Sequence, residues 1–190
     1  YIDTPAQVKL NVAGTKFTTA KKAAIVVSSE AGAKITAEDV DITNVAADKV
    51  NFVWVDEDWA QHFANVEVTG ATVRAEGVDA FTAAITANGA VQAYYKTLAE
   101  AINAAKAGDV VTLIRDVTAS DIITINKAIT LDGNGKTLTS SAARAINVET
   151  DGDVAIKNLT INASGERAIN VIQNATNVTI DNVTATAANY

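Results

Sequence analysis

The sequence predicts an all-β protein wound as a solenoid, on three observations. The motif Ala145-Ile146-Asn147-Val148 returns as Ala168-Ile169-Asn170-Val171, 23 positions later. Beyond each copy lies a second run in which apolar and polar residues alternate, over 154–161 and 178–185. Within these runs and their weaker counterparts an Asp, Asn or Gly recurs at the same place. Alternation marks a strand with one buried face. Asp, Asn and Gly tolerate a left-handed backbone, so they are the residues for a repeated bend. A fixed internal period of this length is the sign of a repeat architecture.

The same frame extends to other segments. Ile129-Thr130-Leu131-Asp132-Gly133 fits one step before the two clear copies. In the amino-terminal third, the apolar run at 24–27 precedes the alternating run at 35–42, and 52–55 precedes 63–68. The expected bend residues are Asp39, Asn65, Gly133, Asn158 and Asn182. In stacked coils their side chains align, and amides then hydrogen-bond along the stack as a ladder. One helix is expected near 97–107. Leu98, Ala101, Ile102 and Ala105 have helical spacing, Thr97 with Glu100 reads as a capping box, and Gly108 closes the helix. The expected organisation is solenoid coils over 1–80, a connector over 81–96, and the cap helix plus a second set of coils over 97–190.

These repeats resemble the right-handed parallel β-helix of the pectin-lyase-like superfamily, whose coils carry an asparagine ladder between the second and third strands. The segment from Tyr95 to Asp109 is similar to the opening of that family, where a short amphipathic helix caps the end of the solenoid. The stretch Leu131-Asp132-Gly133-Asn134-Gly135-Lys136 resembles a segment that comes shortly after the cap helix in that family. The resemblance covers roughly 91–190 most specifically and 23–75 less so. It implies a right-handed parallel β-helix from a bacterial or archaeal surface or secreted protein.

The chain order admits two readings. Residues 1–80 are the last coils of one β-helix and 91–190 the first coils of another. Alternatively, residues 1–75 continue the coils near Tyr190, in the same chain or in the next molecule. Charge bears on the second reading. Residues 1–22 carry Lys9, Lys16, Lys21 and Lys22 against Asp3, while 28–80 carry eleven acids against Lys34, Lys49 and Arg74. Opposite local charges steer and register a contact, although both stretches equally suit ordinary solvated surface.

Composition bounds the rest. The 190 residues are 48% hydrophobic and 19% charged, so the chain has the makings of a core and is not a disordered acidic tail. A net charge of -7 argues against nucleic acid as a partner. No apolar run is long enough to insert in a membrane as a helix. The absence of cysteine removes disulfides, thiolate metal sites and thiol catalysis. The chain also lacks methionine, even at position 1, and is expected to be either a processed segment whose signal peptide is gone or an excised one.

The residues that offer chemistry cluster between 52 and 63, which hold Trp54, Trp59, Asp56, Glu57, Asp58 and the single histidine, His62. Trp54 is expected on the outward side of its strand, if Val53 and Val55 point inward. An aromatic face beside carboxylates suits a sugar ring and its hydroxyls; packing against a cap or a second subunit is the competing role. Asp56 and Asp58, read as i and i+2 on one strand, point the same way and form a candidate acid/base pair for glycoside hydrolysis, or a solvated turn. The motifs of enzymes on the resembled fold are missing: no Gly-His-Gly, no Arg-Ile-Lys and no Arg-x-Pro-x-x-Arg. No cofactor is expected. Asp151 and Asp153 offer oxygen ligands toward Ca²⁺, short of the roughly six that a complete site needs.

The leading expectation is a structural β-solenoid at the cell surface or outside the cell, assembling end to end with copies of itself. A carbohydrate-binding adhesin module using Trp54, Trp59 and His62, and a polysaccharide lyase or hydrolase using Asp56 and Asp58, are the alternatives.

Overall fold

The computed structural model describes residues 1–18, 20, 22–43, 45, 51–172 and 174–188. Lys21, Lys49 and Tyr190, which enter the charge balance and the chain end, lie outside the described residues. The chain is all-β, its strands mostly in parallel sheets, and it divides into two compact units, Tyr1–Val78 and Asp79–Tyr190.

In the first unit, β1 (Val8–Asn11), β3 (Ala33–Thr36) and β5 (Val66–Thr69) form one parallel sheet. A second contains β2 (Ile25–Val27), β4 (Val53–Val55) and β6 (Val73–Ala75). Each pass of the chain lays one strand in each sheet. The inward side chains follow the alternation read from sequence: Ala33 and Ile35 are buried while Lys34 between them is exposed. Phe17 and Phe52 meet edge to face at 5.3 Å, a favoured aromatic geometry.

Between β4 and β5 the chain leaves the strand pattern and forms a 3₁₀ helix over Glu57–Asn65, kinked at His62. Asp56 is its N-cap: the carboxylate accepts the Asp58 N–H at 3.2 Å, the usual service of Asp at this position. Two expectations fall here. Asp56 and Asp58 do not share a strand face, because β4 ends at Val55 and Asp58 lies inside the helix. Asn65 is not a left-handed bend; it ends the helix, and its amide donates to the Glu30 carbonyl at 2.6 Å.

The second unit opens with β7 (Ala83–Ala87) and β8 (Ala90–Tyr95), in place of the expected connector. They pair antiparallel across Asn88-Gly89, both at positive φ (51° and 78°). That is the backbone of a two-residue hairpin turn, for which Asn-Gly is the preferred sequence. β7 also pairs antiparallel with β9 (Val110–Leu113). The cap helix forms where predicted, as α1 (Leu98–Ala104). Both halves of its capping box are made, Thr97 Oγ1 accepting the Glu100 N–H and Glu100 accepting the Thr97 N–H. Its other end is held from outside: the Lys127 ammonium donates to the carbonyls of Ile102 (3.3 Å), Asn103 and Ala105 (2.9 Å). A cation there satisfies orphan carbonyls and complements the helix dipole.

The remaining strands are parallel and in register. β11 (Ile123–Ile125), β14 (Arg144–Val148) and β16 (Arg167–Val171) form one sheet, with Ile123, Ile146 and Ile169 side by side. β12 (Thr130–Asp132) and β13 (Thr137–Ser140) pair with the two halves of β15 (Val154–Ala163). β10 (Val117–Ala119) extends the β13 side, β9 the β12 side, and β17 (Val178–Thr186) lies along β15. Leu113, Ile125, Leu131, Leu138, Ile146, Ile156 and Ile161 share one core, and none is measurably exposed. Each such side chain contributes about 1.5–3 kcal/mol by leaving water.

The bends divide. Asp39, Asn158 and Asn182 take positive φ (54°, 53° and 50°), as the sequence predicts. Gly133 does not; its neighbour Asn134 does, at 51°. Gly133 is needed for a different reason: a Cβ there would lie 2.5 Å from the Asn158 carbonyl oxygen, so the next pass leaves no room for one. The ladder therefore runs from Asn182 to Asn158 (2.9 Å) and from Asn158 to the carboxylate of Asp132 (3.1 Å). A second ladder, absent from the sequence reading, joins Asn170 to Asn147 at 2.6 Å, with Asn147 donating on to Glu149.

Candidate functional site

The residues singled out from sequence are brought together only in part. Trp54 is buried, at 9% exposure, against the expectation that it faces outward. Val26 and Arg74 flank it in register, and the 3₁₀ helix packs on β4, β5 and β6. An insertion that strand alternation does not anticipate thus accompanies the loss of the open face. Trp54 has little surface to offer a ligand.

Trp59 does. It lies on the 3₁₀ helix, whose residues at i and i+3 eclipse one another. Trp59 and His62 accordingly sit ring to ring at 6.1 Å and 40°. Ala60 and Phe63 anchor the opposite side of the helix in the interior. Half-buried Trp59 forms one wall of a groove of about 640 Å³, with Asp3, Pro5, Ser28, Glu30 and Asn65 among its other lining residues. The walls are fixed by local bonds. Ser29 Oγ donates to the Thr4 carbonyl at 2.5 Å, and Asn65 ties the end of the helix to Glu30. His62 Nε2 lies 4.0 Å from Glu30 Oε1. Gly32 carries the chain past this point at φ 70°, and a Cβ there would lie 2.1 Å from the Asn65 carbonyl oxygen. Sequence reading finds Trp59 and His62 but misses Asp3, Glu30 and Asn65 as partners, which lie apart from them along the chain or share no motif with them.

Asp56 and Asp58 take no part in the groove. One Asp56 oxygen caps the 3₁₀ helix and the other accepts the Tyr1 hydroxyl at 3.2 Å, so the carboxylate serves structure. Asp151 and Asp153 are exposed in the turn before β15. Among the described residues no group of three or more His, Asp or Glu side chains gathers to hold a metal ion. Among them, too, no helix is long and apolar enough to cross a membrane.

A second cavity, of about 510 Å³, lies in the second unit where the start of α1 faces the segment between β9 and β11. Lys96, Arg115, Asp116 and Asp121 line it, so its charges are mixed. Arg115 donates to Thr82 at 3.3 Å and Asp116 accepts the Thr137 N–H at 2.8 Å, which commits both to the fold.

Asp132, at the foot of the ladder, has a perturbed acidity. Burial pushes its carboxyl up, but the Asn134 N–H, the Asn158 amide and the Lys157 ammonium outweigh that and hold it below the ordinary carboxylate value. In the first unit Asp41 is lowered to about 2, chiefly by the hydroxyl and N–H of Thr43, with Lys16 adding to the effect.

No protein-family model, curated protein or solved structure matches the chain.

Proposed function

We propose that the parallel passes wind as a right-handed β-helix and that the protein is a structural β-solenoid of the cell surface or extracellular space, assembling end to end with copies of itself. One observation carries this reading. Ile156 and Ile180 are register partners in β15 and β17, yet Ile156 is not measurably exposed and Ile180 is 50% exposed. Val148 and Val171 repeat the contrast, at 0% and 45%. In this chain β17 pairs with β15 on one side, and core-type residues stand open beside its other edge. Such an edge is a template for another strand. At the other end of this unit β9 is covered by β7, and α1 packs near β11, so the two ends are unlike. In the first unit, among the described residues, β1 pairs on one side only, with Val8 and Leu10 half-buried. Contacts between unlike ends give rings or open fibres. The test is light scattering and negative-stain microscopy across concentration. Growth of fibres that Ile180→Lys abolishes supports the reading. A monomer at every concentration, with Ile180→Lys indistinguishable, overturns it.

A second reading has its own observation. The Trp59 groove joins an aromatic wall to two carboxylates, which is the furniture of a carbohydrate-binding module. Binding on a glycan array that Trp59→Ala removes is the expected result, and an array without any bound glycan overturns it.

A further inference from the structure

The polar inventory of the Trp59 groove is lopsided. Among the described residues its charged lining residues are Asp3 and Glu30, and neither a lysine nor an arginine lines it. The hydroxyl of Ser29 is already spent on the Thr4 carbonyl, and Asn65 spends an amide N–H on the Glu30 carbonyl. Beside the indole, the groove is lined by the Asp3 and Glu30 carboxylates and the Asn65 amide oxygen as acceptors and by the Ser28 hydroxyl, which can donate or accept, while His62 Nε2 lies 4.0 Å from Glu30 Oε1. Thr4 Oγ1 already accepts the Ala6 N–H at 3.3 Å. A ligand that fits must bring donors and positive charge to the acids, and a flat apolar face to the indole. Uronic-acid polymers bring the opposite charge, and carboxylate against carboxylate is repulsive. An N-acetylated sugar brings the apolar ring face but no charge.

We infer that this groove binds amino sugars in their free, cationic form: the pyranose stacks on Trp59 and its ammonium group lies between Glu30 and Asp3. Stacking on an aromatic ring and charge pairing to a carboxylate act on the same residue of the ligand, so both depend on the sugar being unacetylated and cyclic. The inference rests on the carbohydrate-binding reading above and specifies its ligand class.

The test is titration calorimetry of the full chain with four probes of similar length: a glucosamine oligomer, its fully N-acetylated counterpart, an oligogalacturonate, and spermine as an acyclic polycation. The expected result is binding of the glucosamine oligomer at least tenfold tighter than any of the other three. Glu30→Gln and Asp3→Asn should each weaken it by about tenfold, and Trp59→Ala by at least as much. Glu30 and Asp3 are exposed, so those variants remain folded even if the tryptophan variant does not. Equal binding of acetylated and free oligomers, or preference for the galacturonate, overturns the charge selection and leaves the carbohydrate reading standing. Spermine binding as tightly as the glucosamine oligomer overturns the sugar and leaves only a cation site. Silence from all four overturns this inference, and a glycan array probed in parallel separates that failure from failure of the carbohydrate reading itself.

Discussion

The two units use one device, parallel strands returning in register, with different regularity. In the second unit the register from β11 to β14 to β16 is unbroken, one amide ladder runs along that sheet and another from β17 to β15, and the unit has one apolar core. In the first, the pass between β4 and β5 is interrupted by nine residues of 3₁₀ helix, and the Trp59 groove, with its aromatic wall and carboxylates, opens there. Regular passes satisfy one another's strand edges. An interruption sacrifices ladder bonds and creates a place where side chains converge.

That contrast can be broken most forcefully at the core. Ile156→Ala should cost about 2–5 kcal/mol, read as a lower urea midpoint with unchanged slope. The same substitution at its register partner Ile180, half exposed, should cost less than about 1 kcal/mol in the dilute protein. Equal effects at the two positions would mean that the last pass is covered in solution. In the first unit, Gly32→Ala forces a Cβ into the Asn65 carbonyl from a positive-φ position, at a cost of roughly 2–3 kcal/mol. Hydrogen exchange should then accelerate in β1, β3 and β5 while β14 and β15 keep their protection.

A smaller change sharpens the ladder. Asn158→Ala strips the amide partners from both Asp132 and Asn182 and should cost about 1–3 kcal/mol. It also removes a left-handed residue that alanine tolerates poorly, so Asn158→Gly is the control that isolates the side chain. Asp132 supplies a pH dependence with a definite sign. Its folded pKa lies below the unfolded value, so its contribution is complete above about 3.9 and is lost as pH falls through the folded pKa. Acid unfolding should therefore begin at higher pH in Asn158→Gly than in the parent, because one of the groups that lowers the Asp132 pKa is gone. The mildest change is Thr97→Ala, which opens the capping box of α1 for about 1 kcal/mol and should loosen exchange in the helix before anything else.

Much of the second unit is legible in the sequence because periodicity, bend chemistry and capping all agree there. The pairing of 145–148 with 168–171, the left-handed Asn158 and Asn182, and the Thr97–Glu100 box come directly from residue type. Gly133 reads as a bend when close approach of the next pass is what requires it, and residue type alone does not separate the two causes. The hairpin at 83–95 does leave a signal, Asn88-Gly89 between alternating runs, that a search for longer repeats passes over. The 3₁₀ helix at 57–65 leaves little: the three acids at 56–58 and two aromatics fit a strand end as well as a helix start. Burial of Trp54 and exposure of the Trp59 groove both stem from that one insertion, which is why only half of the candidate site can be read from residue order.

Lys127 has a consequence for how the protein is made. Its ammonium reaches back to three carbonyls at the end of α1, from a residue that leaves the ribosome more than twenty positions after the helix does. The carbonyl end of α1 therefore lacks this donor until the chain has passed β11. Nascent or proteolysed forms that stop before residue 127 would leave those carbonyls without the ammonium, and the order of synthesis sets when they gain it.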